Sequence, residues 1–506
     1  MSRTKKSIRN IVYNLVNVVL TLVLMFGVRT MFIRTLGVQY LGLNGVFQNV
    51  FQFLSLAELG IGSAIAYRLY QPLNIGNERR IAALMTFFKQ AYRVISIIII
   101  IMALVLLPFL GIIIGDQAEN INIYLVFAIY IAQTLSTYLF FAYKTTLLQA
   151  DQREYIISKY SNYIILGSSL AEVLILYFYQ SYIGYLLVLV VSNILRNFLV
   201  SRRVDKDYPY IKEHDDKIDK EELKEMFKDF FAAFLYRINS VVLSSTDNLV
   251  LTYFVGLTTV GFYSNYTLLA NSIKRFLRPI LNSVKASLGS FVAQKSNEES
   301  YRIFQVVNLI TIILYGGASI GLFILSNKFI TVWIGDAFTL STMFVLLFSF
   351  EFYLRGMQLF LTQIRNAMGL FQQLKYRPLM SMVINLIASI ILVQFLGIEG
   401  VILGTITAGM LTNMIFDPIV IHTHGFNYKT STYFLKNAYY VGLMFLAGFL
   451  SYIVTLPIDV TILGLFYSFL ITLLIIIVVY GLGLFWLKEW KELIPRLRTA
   501  FKKKKK

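Results

Sequence analysis

Apolar runs of about twenty residues or more, separated by short polar breaks, follow one another from end to end of the chain. A helix rises 1.5 Å per residue, so roughly 20 apolar residues cross a hydrocarbon core about 30 Å thick. The pattern predicts spans near 11–33, 40–69, 94–115, 120–146, 156–179, 182–201, 230–255, 259–284, 303–326, 338–364, 376–396, 399–420, 437–457 and 460–486. The expected fold is an all-α integral membrane protein of about fourteen transmembrane helices. Three predicted spans carry internal charge: 40–69 has Glu58, 259–284 has Lys274, Arg275 and Arg278, and 338–364 has Glu351 and Arg355. Charge inside a span marks a face turned away from lipid.

The polar breaks divide into two kinds. Arg79, Arg80, Lys89, Arg93, Lys144, Arg153, Lys159, the 202–228 loop, Lys285, Lys295, Arg302, Arg365, Lys375, Arg377, Lys429, Lys436 and the lysine tail fall on one side. The opposite breaks hold Asp116, Glu119, Glu399 and Asp459, with Lys328 and Arg34 as their cations. An excess of Lys and Arg marks the cytoplasmic side, which places both termini there. The net charge of +19 then reads as an orientation signal rather than as a nucleic-acid surface. With 57% hydrophobic residues and a mean hydropathy of +0.67, little chain is left for a soluble domain. The basic start, Met1 to Asn10, leads into an apolar run without a clear cleavage site and reads as a retained first helix.

Candidate enzyme chemistry is sparse. The absence of cysteine excludes disulfides, cysteine-ligated zinc and a thiol nucleophile. His214, His422 and His424 fall in or beside predicted cytoplasmic loops, and His422-x-His424 has no recognisable third ligand. No Walker-type phosphate loop occurs, so no nucleotide or other cofactor is expected. These features favour a transporter over an enzyme.

Internal similarity suggests duplicated halves. Gly37 to Leu43 resembles Gly256 to Phe262 at an offset of 219, both being Gly-x4-Gly hairpins. Gln149-Ala150 matches Asn366-Ala367 at 217, and Gly184 with Gly400 and Asn197 with Asn413 match at 216. Six helices per half is an even number, which sets the pseudo-two-fold along the membrane normal. The expected organisation is an N-lobe at 1–201, a cytoplasmic linker at 202–229, a C-lobe at 230–421, an appended helix pair at 422–486 and a basic tail at 487–506. The linker is dense in both signs and reads as a solvated tether with a short surface helix. In the tail, Trp490, Leu493, Leu497 and Phe501 lie at helical spacing among cations, as in an interfacial anchor for anionic membrane lipid.

An ionisable group within a span needs a partner, an aqueous cavity or a functional reason. Arg29, Arg34, Arg237, Lys274, Arg278 and Arg355 outnumber the acids and are the candidates for a cationic cavity that receives phosphate or pyrophosphate oxygens. Lys274 and Arg278, like Glu351 and Arg355, stand at i, i+4 on one helix face. The alternative is internal pairing, Arg29 with Asp247 and Arg355 with Glu351, while the remaining cations snorkel to the interface. Glu58, Glu172, Asp247 and Glu351 are candidates for ion coupling or buried pairing, the ion being left open between H+ and Na+.

The residues from Arg29 to Leu43, Leu54 to Ala64, Asp247-Asn248 and Gly256 to Tyr263 resemble the polysaccharide repeat-unit flippases of the multidrug/oligosaccharidyl-lipid/polysaccharide exporter superfamily. The resemblance spans essentially the whole chain. It implies transfer of an undecaprenyl-pyrophosphate-linked oligosaccharide from the inner to the outer leaflet of the bacterial cytoplasmic membrane by alternating access of two lobes. Cavity cations would hold the pyrophosphate, and by location these are Arg29, Arg237, Lys274 and Arg278. The implied partners are the lipid-linked glycan itself, a glycan polymerase and glycosyltransferases, with no nucleic acid. Competing expectations are a multidrug extruder of the same fold and a membrane glycosyltransferase or polymerase acting on the same carrier. The excess of cations within spans disfavours the former, and the short outer breaks disfavour the latter.

Overall fold

The computed structural model describes residues 3–58, 61–114, 121–139, 141–213, 218–219, 221–227, 247–294, 297–370 and 372–493. It is all-α over these residues and forms two compact units, Met1–Gly261 and Phe262–Lys506. Among the described residues ten helices are long and apolar enough to cross a membrane, or eleven if the bent pair Ile123–Leu139 and Tyr143–Ala150 is one span. The chain is a multi-pass integral membrane protein.

The expected fourteen spans are thus not all present as single apolar helices. The predicted span 40–69 is broken into Val38–Leu54, the short turn Ser55–Glu58 and Ile61–Ile75. The predicted span 230–255 lies largely outside the described residues, and that at 259–284 is a longer helix whose cations lower its hydropathy. The predicted span 399–420 falls within one apolar span, Ile398–Phe426, which has a local break at Thr412, whose hydroxyl bonds back to the Ala408 carbonyl (2.6 Å). Such back-bonding competes with the helical ladder.

In the first unit the helices are α1 (Arg3–Leu36), α2 (Val38–Leu54), α3 (Ile61–Ile75), α4 (Glu78–Leu106), α5 (Leu110–Ile114), α6 (Ile123–Leu139), α7 (Tyr143–Ala150), α8 (Glu154–Tyr179), α9 (Tyr182–Asp207) and α10 (Tyr210–Glu213). α8 lies against both α1 and α9, and α6 packs on α9. Asn17 on α1 donates to Asn162 on α8 (2.7 Å), a cross-helix bond of the kind that orders polar residues in a lipid environment. Leu43, Val46, Phe47, Phe127 and Tyr130 form an aromatic-rich centre, while Val16, Val19 and Val23 remain outside, as suits lipid.

The repeated glycines have a steric reason. Gly37 and Gly256 hold φ of +88° and +108°, where a Cβ is disfavoured. Gly42 and Gly261 lie at a close crossing: a Cβ on Gly42 would overlap the Leu257 carbonyl, and one on Gly261 would sit 2.5 Å from the Val38 carbonyl oxygen. The offset of 219 exchanges these two contacts. Left-handed turns recur at the repeat spacing elsewhere, Gln152 with Gly369 and Gln180 with Gly397, each pair 217 residues apart.

The second unit contains α11 (Leu257–Gln294, which begins in the first unit), α12 (Asn297–Ile334), α13 (Thr342–Ala367), α14 (Arg377–Leu396), α15 (Ile398–Leu411), α16 (Asn413–Val420), α17 (Thr430–Thr455) and α18 (Ile462–Leu484). α12 is its axis, touching α13, α17 and α18. The last two helices, expected as an appended pair, pack against it and against each other. Gly316 on α12 makes room for the Tyr480 hydroxyl, which a Cβ would approach to 2.6 Å. Lys328 donates to the Thr455 carbonyl (2.6 Å), the Ile458 carbonyl (3.3 Å) and Ser468 Oγ (3.1 Å). This cation of the acidic side caps the C-terminal carbonyls of α17. At the other end Lys436 pairs with buried Glu489, docking the start of the basic tail, whose residues 494–506 lie outside the described residues.

The sign-rich segment after α9 is not a free tether. α10 packs on α4, and Glu222 pairs with Arg68 (3.5 Å) and Arg80.

Candidate functional site

In the first unit, the packing of α8 between α1 and α9 gathers polar side chains among aromatic ones. Arg29 on α1 is half-buried and within electrostatic reach of Tyr185 on α9, which in turn neighbours Glu172 on α8. Glu172 is buried and bonded to Ser168 on its own helix. Phe32 meets Tyr185 and Tyr182 edge-on, with ring centroids 5.0 and 5.9 Å apart. The Tyr130 hydroxyl donates to Asn44 and lies beside Tyr182. The arrangement is one arginine and one carboxylate with tyrosine hydroxyls between them, a polar group inside an apolar helix packing.

Arg34, one helical turn farther along, is exposed. Glu58 ends the short turn that interrupts the second predicted span and accepts from the Tyr92 hydroxyl (3.3 Å). Asp247 is buried. Arg237 lies outside the described residues.

In the second unit, α11 and α13 bring together three of the predicted cations. Lys274 is within electrostatic reach of Arg278, one turn along the same helix, and of Arg355 from α13. Its Nζ stands 5.5 Å from the centroid of the Phe352 ring, a cation–π contact. Arg355 pairs with buried Glu351 on its own helix, as its i, i+4 spacing allows, and Arg278 faces Tyr315 from α12. Lys274 thus has two further cations within reach, one of which, Arg355, is paired with Glu351. Like charges brought out of bulk water repel strongly, and an anion placed among them would relieve that repulsion.

A second charged group in this unit went unrecognised in the sequence. Asp417 on α16 is fully buried and takes Arg365 Nη1 on one carboxylate oxygen (3.0 Å) and Arg377 on the other. The rule applied to other spans, that charge in an apolar run needs a reason, marks Asp417 too. His422, expected in or beside a loop, is buried on a π-helical turn, its Nδ1 2.8 Å from the Pro418 carbonyl and its ring among Tyr301, Phe304 and Tyr433. His424 is exposed, and His214 lies outside the described residues. Among the described residues no cluster of His, Asp or Glu has the composition of a metal site.

No family model matches the sequence, and no curated protein matches it. Solved structures do. The inward closed conformation of the lipid II flippase MurJ superposes with a TM-score of 0.66 at 14% identity, over 94% of this chain and 99% of that one. The inward-facing conformation of a multidrug resistance MATE family transporter of the MOP superfamily superposes with a TM-score of 0.64 at 12% identity, over 78% and 92%. A mutant of the Vibrio cholerae MATE transporter VcmN gives 0.53 at 11% identity, over 83% and 99%. This chain shares the fold of these solved transporters. At such identities the likeness concerns the fold; what is carried must be argued from the side chains.

Proposed function

We propose that this protein is an alternating-access transporter of the cytoplasmic membrane, with both termini in the cytoplasm, whose cargo is an anionic, lipid-linked oligosaccharide. In this reading fourteen helices form two six-helix lobes plus a terminal pair, and an undecaprenyl-pyrophosphate-linked repeat unit moves from the inner to the outer leaflet for cell-surface polysaccharide synthesis. The observation that carries it is the group Lys274, Arg278 and Arg355, of which Arg355 is paired with Glu351. Planar guanidinium forks and an ammonium suit pyrophosphate oxygens and disfavour cationic drugs. The extent of the likeness to the lipid II flippase, 94% of this chain against 78–83% for the two multidrug transporters named above, supports the same reading.

A second reading, extrusion of drugs, is favoured by the likeness to inward-facing and outward-facing conformations of a multidrug resistance MATE family transporter. One assay separates the two. Purified protein in liposomes is given either a fluorescent lipid-pyrophosphate oligosaccharide or a cationic dye. The proposal expects leaflet exchange of the first and no transport of the second. Dye transport without lipid exchange would establish the drug reading. The double variant Arg278→Gln, Arg355→Gln is expected to reduce exchange at least tenfold with insertion unchanged; a wild-type rate would remove these cations from the mechanism.

A further inference from the structure

We infer that a wedge-shaped groove between α8 and α9 holds one acyl chain of an anionic phospholipid, its headgroup against Lys159 and Arg202. The groove encloses about 570 Å³, within the range of about 300–1,000 Å³ common for small-molecule sites, and its walls are almost entirely apolar. Tyr163, Gly167 and Ala171 line it from α8, and Val188, Val191 and Leu195 from α9.

Its shape follows from where the helices touch. At the turn that joins them they are in close contact, since a Cβ on Gly184 would lie 2.8 Å from Ile175 Cγ2. Two turns down α8 they have parted, and a Cβ on Gly167 would meet no atom within 4 Å. The groove therefore closes toward the α8–α9 turn and widens toward the end that carries the basic residues. In the repeat-related pair α14–α15 the close contact extends one turn farther along the second helix. There a Cβ on Gly400 would overlap the Leu392 carbonyl, and one on Gly404 would sit 2.6 Å from the Ser389 nitrogen. Gly404 corresponds to Val188 at the offset of 216, so a branched side chain stands in the first unit where the second brings two backbones together. The opening is a property of this helix pair, not a requirement of the fold.

Charge at the wide end selects the occupant. Lys159 is exposed one turn beyond Tyr163, with its Nζ 6.0 Å from that ring's centroid. Arg202 is exposed two turns beyond Leu195, 5.7 Å from the Phe198 ring. Both cations are held over aromatic rings at the rim, at the depth where a lipid headgroup meets its chain. Arg196, between them in sequence, is turned inward to Asn193 (2.7 Å) and leaves the rim to these two. A neutral lipid would fill the apolar wedge equally well, but only an anionic headgroup meets this rim.

The test uses the full-length protein in nanodiscs containing phosphatidylglycerol or phosphatidylcholine with the same diazirine-bearing acyl chain, followed by mapping of photolabelled peptides. The expected result is labelling of α8 and α9 at the groove, roughly tenfold stronger with phosphatidylglycerol, as two basic residues near an anionic headgroup imply. Gly167→Trp fills the groove from a position with free space and should abolish that labelling while the protein stays folded. Lys159→Gln with Arg202→Gln, both at exposed positions, should remove the preference and leave the weaker labelling. Equal labelling by the two lipids in the wild type would reduce the groove to ordinary annular contact and overturn the inference, as would unchanged labelling in Gly167→Trp. Displacement of phosphatidylglycerol by a polyprenyl pyrophosphate, but not by added phosphatidylglycerol, would assign the groove to transported substrate and overturn it as well.

Discussion

In residues 143–208, Lys144 on α7 and Arg153 at the start of α8 reach two separate aspartates near the end of α9. Lys144 Nζ binds Asp205 (2.5 Å) and Ser201 (2.8 Å), and Arg153 pairs with Asp207, which also takes Arg203 Nε (3.0 Å). In residues 365–417, Arg365 at the end of α13 and Arg377 at the start of α14 reach one aspartate, Asp417. Ser201 and Asp417 are equivalent at the offset of 216, so both units tie the same turn to the same place on the next helix. The difference is burial. The side chains of Asp205 and Asp207 are 21% and 12% exposed, whereas Asp417 is 0% and its arginines 3% and 6%. Partly exposed pairs are screened by water and salt, but two buried guanidiniums depend on their shared carboxylate. A repeated position thus belongs to a network with partly exposed aspartates around buried Lys144 and Ser201 in one unit and to a fully buried charge lock in the other.

Breaking the lock should have the largest effect. Asp417→Ala removes the carboxylate that two buried arginines share and is expected to destabilise by about 3–5 kcal/mol, seen as loss of monodisperse protein after extraction. The triple replacement Arg365→Met, Asp417→Leu, Arg377→Met should recover most of that stability, since an apolar set of similar volume removes the buried charges altogether. If the triple variant is as unstable as the single one, loss of the shared carboxylate is not the cause.

A smaller contrast concerns the helix pairs that flank these ties. Gly404→Val forces side-chain volume into the Ser389 backbone and should cost about 1–3 kcal/mol in a thermal melt, whereas Gly167→Ala meets nothing and should be neutral or stabilise by up to about 1 kcal/mol. Equal effects would erase the distinction between a closed and an open pair.

In the partly exposed network, Asp207→Asn should lower stability by about 1 kcal/mol or less, with the shift shrinking at high salt. The Asp417→Ala shift should be insensitive to salt, and a salt-dependent loss there would contradict its burial. Tyr208→Phe removes the bond that its hydroxyl donates to Asp151 (2.6 Å), again an effect of about 1 kcal/mol. Burial, with Asp151 beside it, holds this phenol above the usual tyrosine range. Its contribution is fully present below the ordinary tyrosine pKa and lost as pH rises through the folded-state value, so the variant should melt with less alkaline dependence than the wild type.

Much of this was legible in the chain and some was not. Hydrophobic length revealed a multi-pass helical protein because lipid admits few other solutions, but length could not show that Ser55–Glu58 and Thr412 interrupt their helices, since a local break leaves the average hydropathy high. The Gly-x4-Gly repeat stood out as spacing, yet that Gly42 and Gly261 meet at one crossing is a matter of distance between segments far apart in the chain. Of the candidate cations, Lys274 and Arg278 announced their common face through i, i+4 spacing, whereas the approach of Arg355 needed α13 to pack beside α11. His422 was read by its neighbours in sequence as lying in or beside a loop and is governed by its neighbours in space.

The sequence by itself determined the solvent, the helical class and the excess of cations within the apolar runs, because each depends only on composition and on period along one chain. The tertiary structure decided which charges share a carboxylate, which lysine caps a helix end and where two helices part to leave a groove. Those outcomes are set by distances between remote segments and by the burial that packing imposes, and the same repeated position can be a buried serine beside a lysine in one unit and a buried aspartate between two arginines in the other.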